Sequence, residues 1–474
     1  MYDEIFRNLL LEKLEKYSDR VFYVINNNFI TYGQLLEKAQ KLEKYLKNDN
    51  SPVMVYGHKN IEMVISFIGC ILARRSYIPV DIFTPDERIN KIIQISKSTL
   101  VINNSGIKKQ FPVSSIDDIY SLDNYEYHEK QSLNNNEICY IIFTSGSTGI
   151  PKGVPISYSN LINFIEWISN IDGLSFEKCN VLNQASFSFD LSVTDFYYSL
   201  FNGHTLIGSD KILQENLDSF LDYIGNKRVN VMVITPTFMK YLLLDKKFGT
   251  ENYPDLKSIY FCGEMLEVEV VKKIYSRFPK INVINAYGPT EATSAVSSII
   301  ITKDMLTKNE LPVGNLEQSN NKIIIDKDEI IIQGKSVFSG YLGLVKGGYY
   351  KEDNVNCYRT GDLGKIIDNK LYCKGRVDNQ VKINGYRIEL EEIEKNINSI
   401  HGVYMCCVVA KKNDLGKVKY LKAYVVGETS KEKIYSILMD KLPSYMIPKF
   451  IEKVDTLPVN NNGKLDRKKV ANLW

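Results

Sequence analysis

The densest chemistry in the chain lies between Tyr140 and Gly153, where Tyr140-Ile141-Ile142-Phe143 breaks into Thr144-Ser145-Gly146-Ser147-Thr148-Gly149-Ile150-Pro151-Lys152-Gly153. Apolar residues that run into hydroxyls, glycines and one lysine read as a parallel strand with a phosphate-holding loop, Thr144 to Gly153, at its carboxyl end. Phosphate oxygens need several short-range donors. Backbone N–H groups beside Gly146 and Gly149 supply them with no side chain in the way. Thr144, Ser145, Ser147 and Thr148 add hydroxyls, and Lys152 adds a mobile positive charge. The loop suits a triphosphate. It is not the G-x-x-x-x-G-K-[ST] pattern, because Pro151 stands at the second glycine, and a Ser/Thr/Gly run also reads as a solvated turn.

Four further stretches carry polar groups in telling surroundings. In Phe187-Ser188-Phe189-Asp190-Leu191-Ser192 a carboxylate stands among apolar neighbours, which is costly unless it meets a cation such as a substrate ammonium. A helix N-cap aspartate reads the same way. In Asn285-Ala286-Tyr287-Gly288-Pro289-Thr290-Glu291-Ala292-Thr293 one loop offers an aromatic face for a base, a hydroxyl for a phosphate and a carboxylate for a hard cation. Gly263, in Cys262-Gly263-Glu264, admits a flat ligand to the backbone or simply turns the chain. Asp362, in Tyr358-Arg359-Thr360-Gly361-Asp362, suits two ribose hydroxyls or a glycine turn. Near the end, Asn461-Asn462-Gly463-Lys464 puts one lysine on a turn, which is otherwise a solvated basic tail.

The elements that must position these groups follow from hydrophobic spacing. Val21–Ile25 and Phe29–Tyr32 flank three asparagines like a hairpin, and Leu35, Leu36, Ala39, Leu42 and Leu46 make a helical stripe. With a strand at Val53–Tyr56 and a helix at Ile61–Leu72, the first 135 residues alternate as in a doubly wound sheet, a scaffold with no catalytic signal. Asp117 to Asn136 reads as a surface connection ahead of the loop. Val231–Ile234, Ser258–Phe261 and Ile281–Ile284 read as buried strands, and strand ends on one edge of such a sheet converge on one crevice. From Lys322 to Ile332 the pattern turns to short β runs around Asp326-Lys327-Asp328. Gly375 to Gln380 is the boundary of a compact α+β domain, with a helix at Glu389–Ile400, strands at Val403–Ala410 and Tyr420–Val426, and a helix at Lys431–Lys441.

Composition excludes several classes. With 59 basic and 56 acidic residues the formal charge is +3, too small in 474 residues for a nucleic-acid or membrane footprint. The longest apolar stretch, Met63 to Leu72, is too short to span a bilayer, and Met1-Tyr2-Asp3-Glu4 opens no signal peptide, so the expected location is the cytoplasm. Eight cysteines without a C-x-x-C pair, and four histidines without ligand spacing, argue for reduced thiols and against a zinc site.

Six motifs in order, T-S-G-S-T-G-I-P-K-G, F-S-F-D-L-S, N-A-Y-G-P-T-E-A-T, Y-R-T-G-D, G-R-V-D-N-Q-V-K-I-N-G-Y-R-I-E and N-G-K-L-D-R, make the chain resemble the adenylate-forming enzymes over almost its whole length. More narrowly it resembles amino-acid adenylation domains of nonribosomal peptide synthetases and, most closely, D-alanine:D-alanyl carrier protein ligases. The resemblance implies an α/β fold. Residues 1–377 would form a large domain of stacked, mostly parallel sheets with a small β subdomain, and residues 378–474 a mobile α+β lid. It also implies two half-reactions. An amino-acid carboxylate attacks the α-phosphate of ATP, with Mg²⁺, to give an aminoacyl adenylate and pyrophosphate; a phosphopantetheine thiol on a carrier protein then takes the acyl group as a thioester.

By the same resemblance, Thr144, Ser145, Gly146, Ser147, Thr148, Gly149 and Lys152 hold the β- and γ-phosphates, Thr290 the α-phosphate, and Glu291 the Mg²⁺. Asn285, Ala286, Tyr287 and Gly288, with the backbone at Gly263 and Glu264, surround adenine; Asp362 and Arg376 serve the ribose. Lys464 bridges the substrate carboxylate and the adenylate oxygens. Asp378 is the hinge and Gly385 lines the pantetheine tunnel. In the amino-acid pocket, Asp190 pairs with the α-ammonium, beside Leu191, Thr194, Cys262, Ala286, Gly288 and Ser294. Leu191 and Cys262 agree with the D-alanine ligases. Thr194 and Ser294 depart from them, since larger apolar side chains are expected there, and the enlarged or more polar pocket admits serine, another small polar residue or something longer beside D-alanine. The expectation is a freestanding monomer that loads a separate carrier. An acyl- or aryl-CoA synthetase of the same fold and a non-catalytic binding relative are the alternatives.

Overall fold

The computed structural model describes residues 2–46, 49–106, 138–146, 149–319, 321–343, 347–412, 418–458 and 465–473. They divide into two compact units, one built from stretches within 1–82, 96–142 and 154–375, the other from 83–95, 143–153 and 376–474.

The first unit holds three sheets among its described residues. One runs in the order Leu100–Asn103, Val53–Gly57, Tyr77–Asp81, Ile138–Thr144 and Lys152–Ser157. A second places Ser297–Ile300, Asn282–Tyr287, Ser258–Phe261, Val231–Ile234, Asn180–Asn183, Thr205–Gly208, Val21–Ile25 and Asn28–Thr31 side by side, parallel except for the outermost pair at each end. Val231–Ile234 and Ser258–Phe261 are buried along their whole length, which is why they read as continuous apolar runs and not as alternating ones. Val231 pairs with Ser258 and Ser258 with Asn282, so the carboxyl ends of these strands finish together. The loops after Asn183, Phe261 and Tyr287 therefore emerge on one edge. The third sheet is antiparallel and includes the hairpin Lys322–Asp326 and Glu329–Gln333, turned by Lys327 and Asp328 at φ 50° and 67°.

The asparagine hairpin forms as expected, with Asn26 at φ 53°, but it joins the second sheet through Thr205–Gly208 and not the sheet of Val53–Gly57. That pairing spans about 180 residues of sequence, and nothing local encodes it. Helix Tyr158–Ser169 starts in a reciprocal cap between Ser157 and Asn160, and helix Ile61–Leu72 is capped by Asn60. Phe22, Phe67, Phe187, Phe196 and Tyr197 meet edge-to-face in the core.

Helix Leu191–Asn202 ends at Gly203, φ 71°, where a Cβ would lie 2.7 Å from the Tyr17 ring. The next residue, His204, is fully buried against Tyr198, and neither of its ring nitrogens has a hydrogen-bond partner. Burial, helped by Arg20, pulls its pKa down to about 4. The unfolded chain takes up a proton near pH 6.5 that the folded chain refuses until about pH 4. Stability contributed by the neutral ring is therefore lost as pH falls through that window, by about 3 kcal/mol. His204→Phe should flatten this part of the acid limb. The urea midpoint measured from pH 7 to 4 checks it, and an unchanged slope contradicts neutral burial.

In the second unit, Val403–Lys412 pairs antiparallel with Val418–Gly427, which pairs parallel with Phe450–Lys453. Helices Leu390–Asn398 and Lys431–Lys441 supply Leu390, Ile393, Ile397, Ile434 and Leu438 to its core. The eight cysteines are all free thiols. Among the described residues no helix is long and apolar enough to cross a membrane.

Candidate functional site

The strand Ile138–Thr144 takes in Thr144, and the next strand already starts at Lys152, so the loop is shorter at both ends than its sequence suggests. Ser147 and Thr148 lie outside the described residues. Gly149, at φ 75°, donates its N–H to the Gly146 carbonyl at 2.8 Å, and a Cβ on Gly146 would sit 2.1 Å from the Ile150 carbonyl oxygen. The backbone folds back too tightly for any side chain there. Thr144 keeps a buried hydroxyl without a partner, a group that an oxygen-rich ligand would satisfy.

Within the second unit this loop meets carboxylates. Gly146 donates its N–H to Glu392 Oε2 at 2.9 Å, and Arg88 donates to the other oxygen of Glu392 at 2.8 Å. Ser145 donates its hydroxyl to the Arg387 carbonyl at 2.7 Å, and Lys152 lies 3.8 Å from Glu389. Burial pushes the Glu389 carboxyl up, against the pull of Lys152. A loop amide that takes a carboxylate can take a phosphate oxygen. Arg88 and Glu392 are both buried, so Glu392→Ala strands a guanidinium and should cost about 3–5 kcal/mol, while Arg88→Leu with Glu392→Leu recovers most of it. Thermal melts of the single and double variants check this; equal losses would contradict it.

Tyr287, at the end of Asn282–Tyr287, donates its hydroxyl to Asp362 Oδ2 at 2.7 Å, and both are buried. Burial and then the Asp362 charge raise the phenol well above its usual range, so it remains a donor. Asp362 is not on a turn. It lies inside the long strand Val355–Ile367, where Gly361, at φ 72°, belongs to a register slip against Glu329–Gln333. Asn285 turns its amide to the Pro312 carbonyl at 2.8 Å, and Ala286 is buried beside it. Gly288 packs so closely that a Cβ would lie 2.4 Å from Ala295 Cα. Gly263 has φ 91°, and the Glu264 carboxylate accepts from the Thr237 amide and hydroxyl at 3.1 and 2.5 Å.

Asp190 stands at the head of helix Leu191–Asn202 but makes no capping hydrogen bond with its side chain. Instead it accepts the Thr290 hydroxyl at 2.5 Å, which sets the N-cap reading aside. One helical turn on, Thr194 and Ser294 share a hydrogen bond of 3.0 Å, both buried, and the Cys262 thiol points to the Ser294 carbonyl. Thr293 and Ser294 have φ of 59° and 67°, a left-handed pair that is strained for a β-branched residue and is pinned by the Thr293 hydroxyl on the Ser336 carbonyl. Leu191 is buried nearby in sequence. Asp190 thus pairs with Thr290, and Thr194 and Cys262 both meet Ser294.

Glu291 is fully buried and accepts the Tyr341 hydroxyl at 2.5 Å, a contact that no pattern around Tyr341 announces. Among the described residues no cluster of three or more His, Cys, Asp or Glu could hold a metal by itself. A lone carboxylate fits Mg²⁺, which characteristically binds through one or two carboxylates plus substrate phosphates. In the second unit Arg376 grips Asp378 with two hydrogen bonds, 2.7 and 2.9 Å, and holds that carboxyl below its usual range despite burial. Gly385, φ 84°, follows Asn384 in the turn between Val381–Ile383 and Tyr386–Ile388. Lys464 lies outside the described residues.

A loop folded back at Gly146, a buried tyrosine–aspartate pair and a carboxylate at a helix head that caps nothing agree with an enzyme that makes acyl adenylates. The model of the AMP-binding enzyme family matches residues 10–342 and that of the AMP-binding enzyme C-terminal domain matches 392–464, and the chain belongs to this family. It is 37% identical over 499 residues to a D-alanine--D-alanyl carrier protein ligase of Bacillus anthracis, covering 97% of this chain and 98% of the relative. The same-named protein of Bacillus licheniformis is 38% identical over 501 residues, with the same coverage. The fold matches the Vibrio cholerae adenylation domain AlmE, solved with glycyl-adenosine-5'-phosphate, with a TM-score of 0.84 at 22% identity, over 99% of this chain and 97% of that one. A Bacillus subtilis o-succinylbenzoate CoA synthetase matches at 0.84 and 18% identity, over 98% of each chain.

Proposed function

We propose that the protein activates a small amino acid, D-alanine in the first instance, as its adenylate and passes it to the phosphopantetheine thiol of a separate carrier protein in the cytoplasm. The observation that carries this reading is Asp190: a carboxylate at a helix head that does not cap the helix but accepts the Thr290 hydroxyl. A substrate ammonium offers such a carboxylate an opposite charge, and fatty or aryl acids have none to give. The likeness to the two Bacillus ligases, at 37% and 38% identity, supports the same substrate class.

The chain's residues divide the work. The loop around Gly146 and Gly149 and the ammonium of Lys152 hold the β- and γ-phosphates; Thr290 holds the α-phosphate. Tyr287 and Asp362 fix the nucleoside, and Arg376 assists. Asp190 fixes the amino acid so that its carboxylate oxygen faces phosphorus, and Lys464 neutralises the charge that builds there. Glu291 would hold Mg²⁺, which supplies charge neutralisation on the phosphates. The carboxylate oxygen bonds to the α-phosphorus as pyrophosphate leaves. The thiol then gives up its proton, its sulfur bonds to the acyl carbon, and AMP leaves.

Mass spectrometry of a holo carrier protein after incubation with ATP and D-alanine tests the proposal: a thioester on the carrier is expected, and loading of free CoA alone would contradict it. Residues 378–474 are proposed to swing as a lid about Asp378. Asp378→Pro should then leave pyrophosphate exchange within about threefold of wild type and cut thioester formation by more than tenfold; two unaffected half-reactions would remove the hinge.

A further inference from the structure

Lys59 precedes helix Ile61–Leu72 with φ 52° and is 1% exposed. Its Nζ donates to the carbonyl of Asn183 at 2.6 Å, and the Tyr23 hydroxyl donates to its own carbonyl at 2.7 Å. Asn183 closes the strand Asn180–Asn183 and donates its Nδ2 to Asp195 Oδ1 at 2.9 Å. Asp195, one turn inside helix Leu191–Asn202, is fully buried, and its second carboxylate oxygen has no partner. The chain between Asn183 and Asp195 is the segment that carries Asp190. Its middle is tied from the same side: the Ser186 hydroxyl donates to Asp81 Oδ2 at 2.5 Å, and His58 Nδ1 lies 2.8 Å from that oxygen.

Two buried charged groups are an expensive way to fill a core, and apolar residues of equal volume are often as stable or more so. Burial pulls Lys59 down to about 7 and pushes Asp195 up, each opposed by the attraction of the other. Neither group belongs to the substrate contacts assigned above. What they hold is geometry: Lys59 fixes where the strand ends, and through Asn183 that end is joined to the helix into which Asp190 leads. We propose that Lys59 and Asp195 are positioning residues of the amino-acid site, which fix both ends of segment 184–190 so that the Asp190 carboxylate meets the substrate ammonium. This rests on the reading of Asp190 given above.

Equilibrium binding of two sulfamoyl adenosines tests it, one carrying a D-alanyl group and the other the amine-free propionyl group. Lys59→Met should weaken the D-alanyl compound at least tenfold and leave the propionyl compound and the KM for ATP within twofold. Asp195→Asn, which keeps the volume, should do the same in milder form. Asp190→Asn should produce the same split, and adding Lys59→Met to it should change little, because both act through one anchor. If Lys59→Met weakens both compounds equally, or neither, while Asp190→Asn still separates them, the positioning role is overturned and the amino-acid reading stands. If Asp190→Asn itself fails to separate them, the reading of the pocket falls and this proposal with it.

Discussion

Alanine in place of Lys464 is expected to slow ATP–pyrophosphate exchange by roughly a hundred- to a thousandfold, about 3–4 kcal/mol, the scale set by removing one donor aimed at charge that develops in a transition state. Negative charge gathers on the carboxylate and phosphate oxygens only as the adenylate forms. Thiol attack on a preformed adenylate asks nothing of that ammonium, so thioester formation from added aminoacyl adenylate should stay within about twofold of wild type. Rapid-quench measurement of the two half-reactions separates them. Comparable losses in both would assign Lys464 to binding or folding.

The second large effect is expected at Asp190. Asparagine keeps its shape and still accepts the Thr290 hydroxyl, so Asp190→Asn removes little but the charge. Truncating one partner of a desolvated charge pair typically costs about 2–5 kcal/mol, which here means a loss of roughly a hundredfold or more in kcat/KM for the amino acid. The KM for ATP should hardly move, because Tyr287 and Asp362, proposed to fix the nucleoside, pair with each other and keep that contact. Steady-state kinetics with each substrate varied in turn checks it, and an equal rise in both KM values would place Asp190 in the scaffold.

The strands and helices around the site were legible wherever local chemistry decides them. Val231–Ile234 and Ser258–Phe261 are apolar because both faces are covered, and Lys322–Gln333 turns where two residues take positive φ. Asp190 was legible as a charge in apolar company, but only the structure shows that its side chain takes the Thr290 hydroxyl and caps no helix. Asp362 misled, because a glycine in a bulged strand carries the same signature as a glycine in a turn. Arg88 and Glu392 are 304 residues apart, and Lys59 lies in a region that reads as plain scaffold. No periodicity reports such pairs. Their partners are fixed by the packing of whole elements, which local spacing does not contain.

Asp190 is expected to restrict adenylation to acids that carry an ammonium. ATP–pyrophosphate exchange, measured across D- and L-amino acids and matched amine-free carboxylic acids, tests it most directly. Exchange is expected with D-alanine or another small amino acid and to be at least a hundredfold weaker with propionate and lactate. Equal exchange with the amine-free acids, or none with any acid, would contradict it.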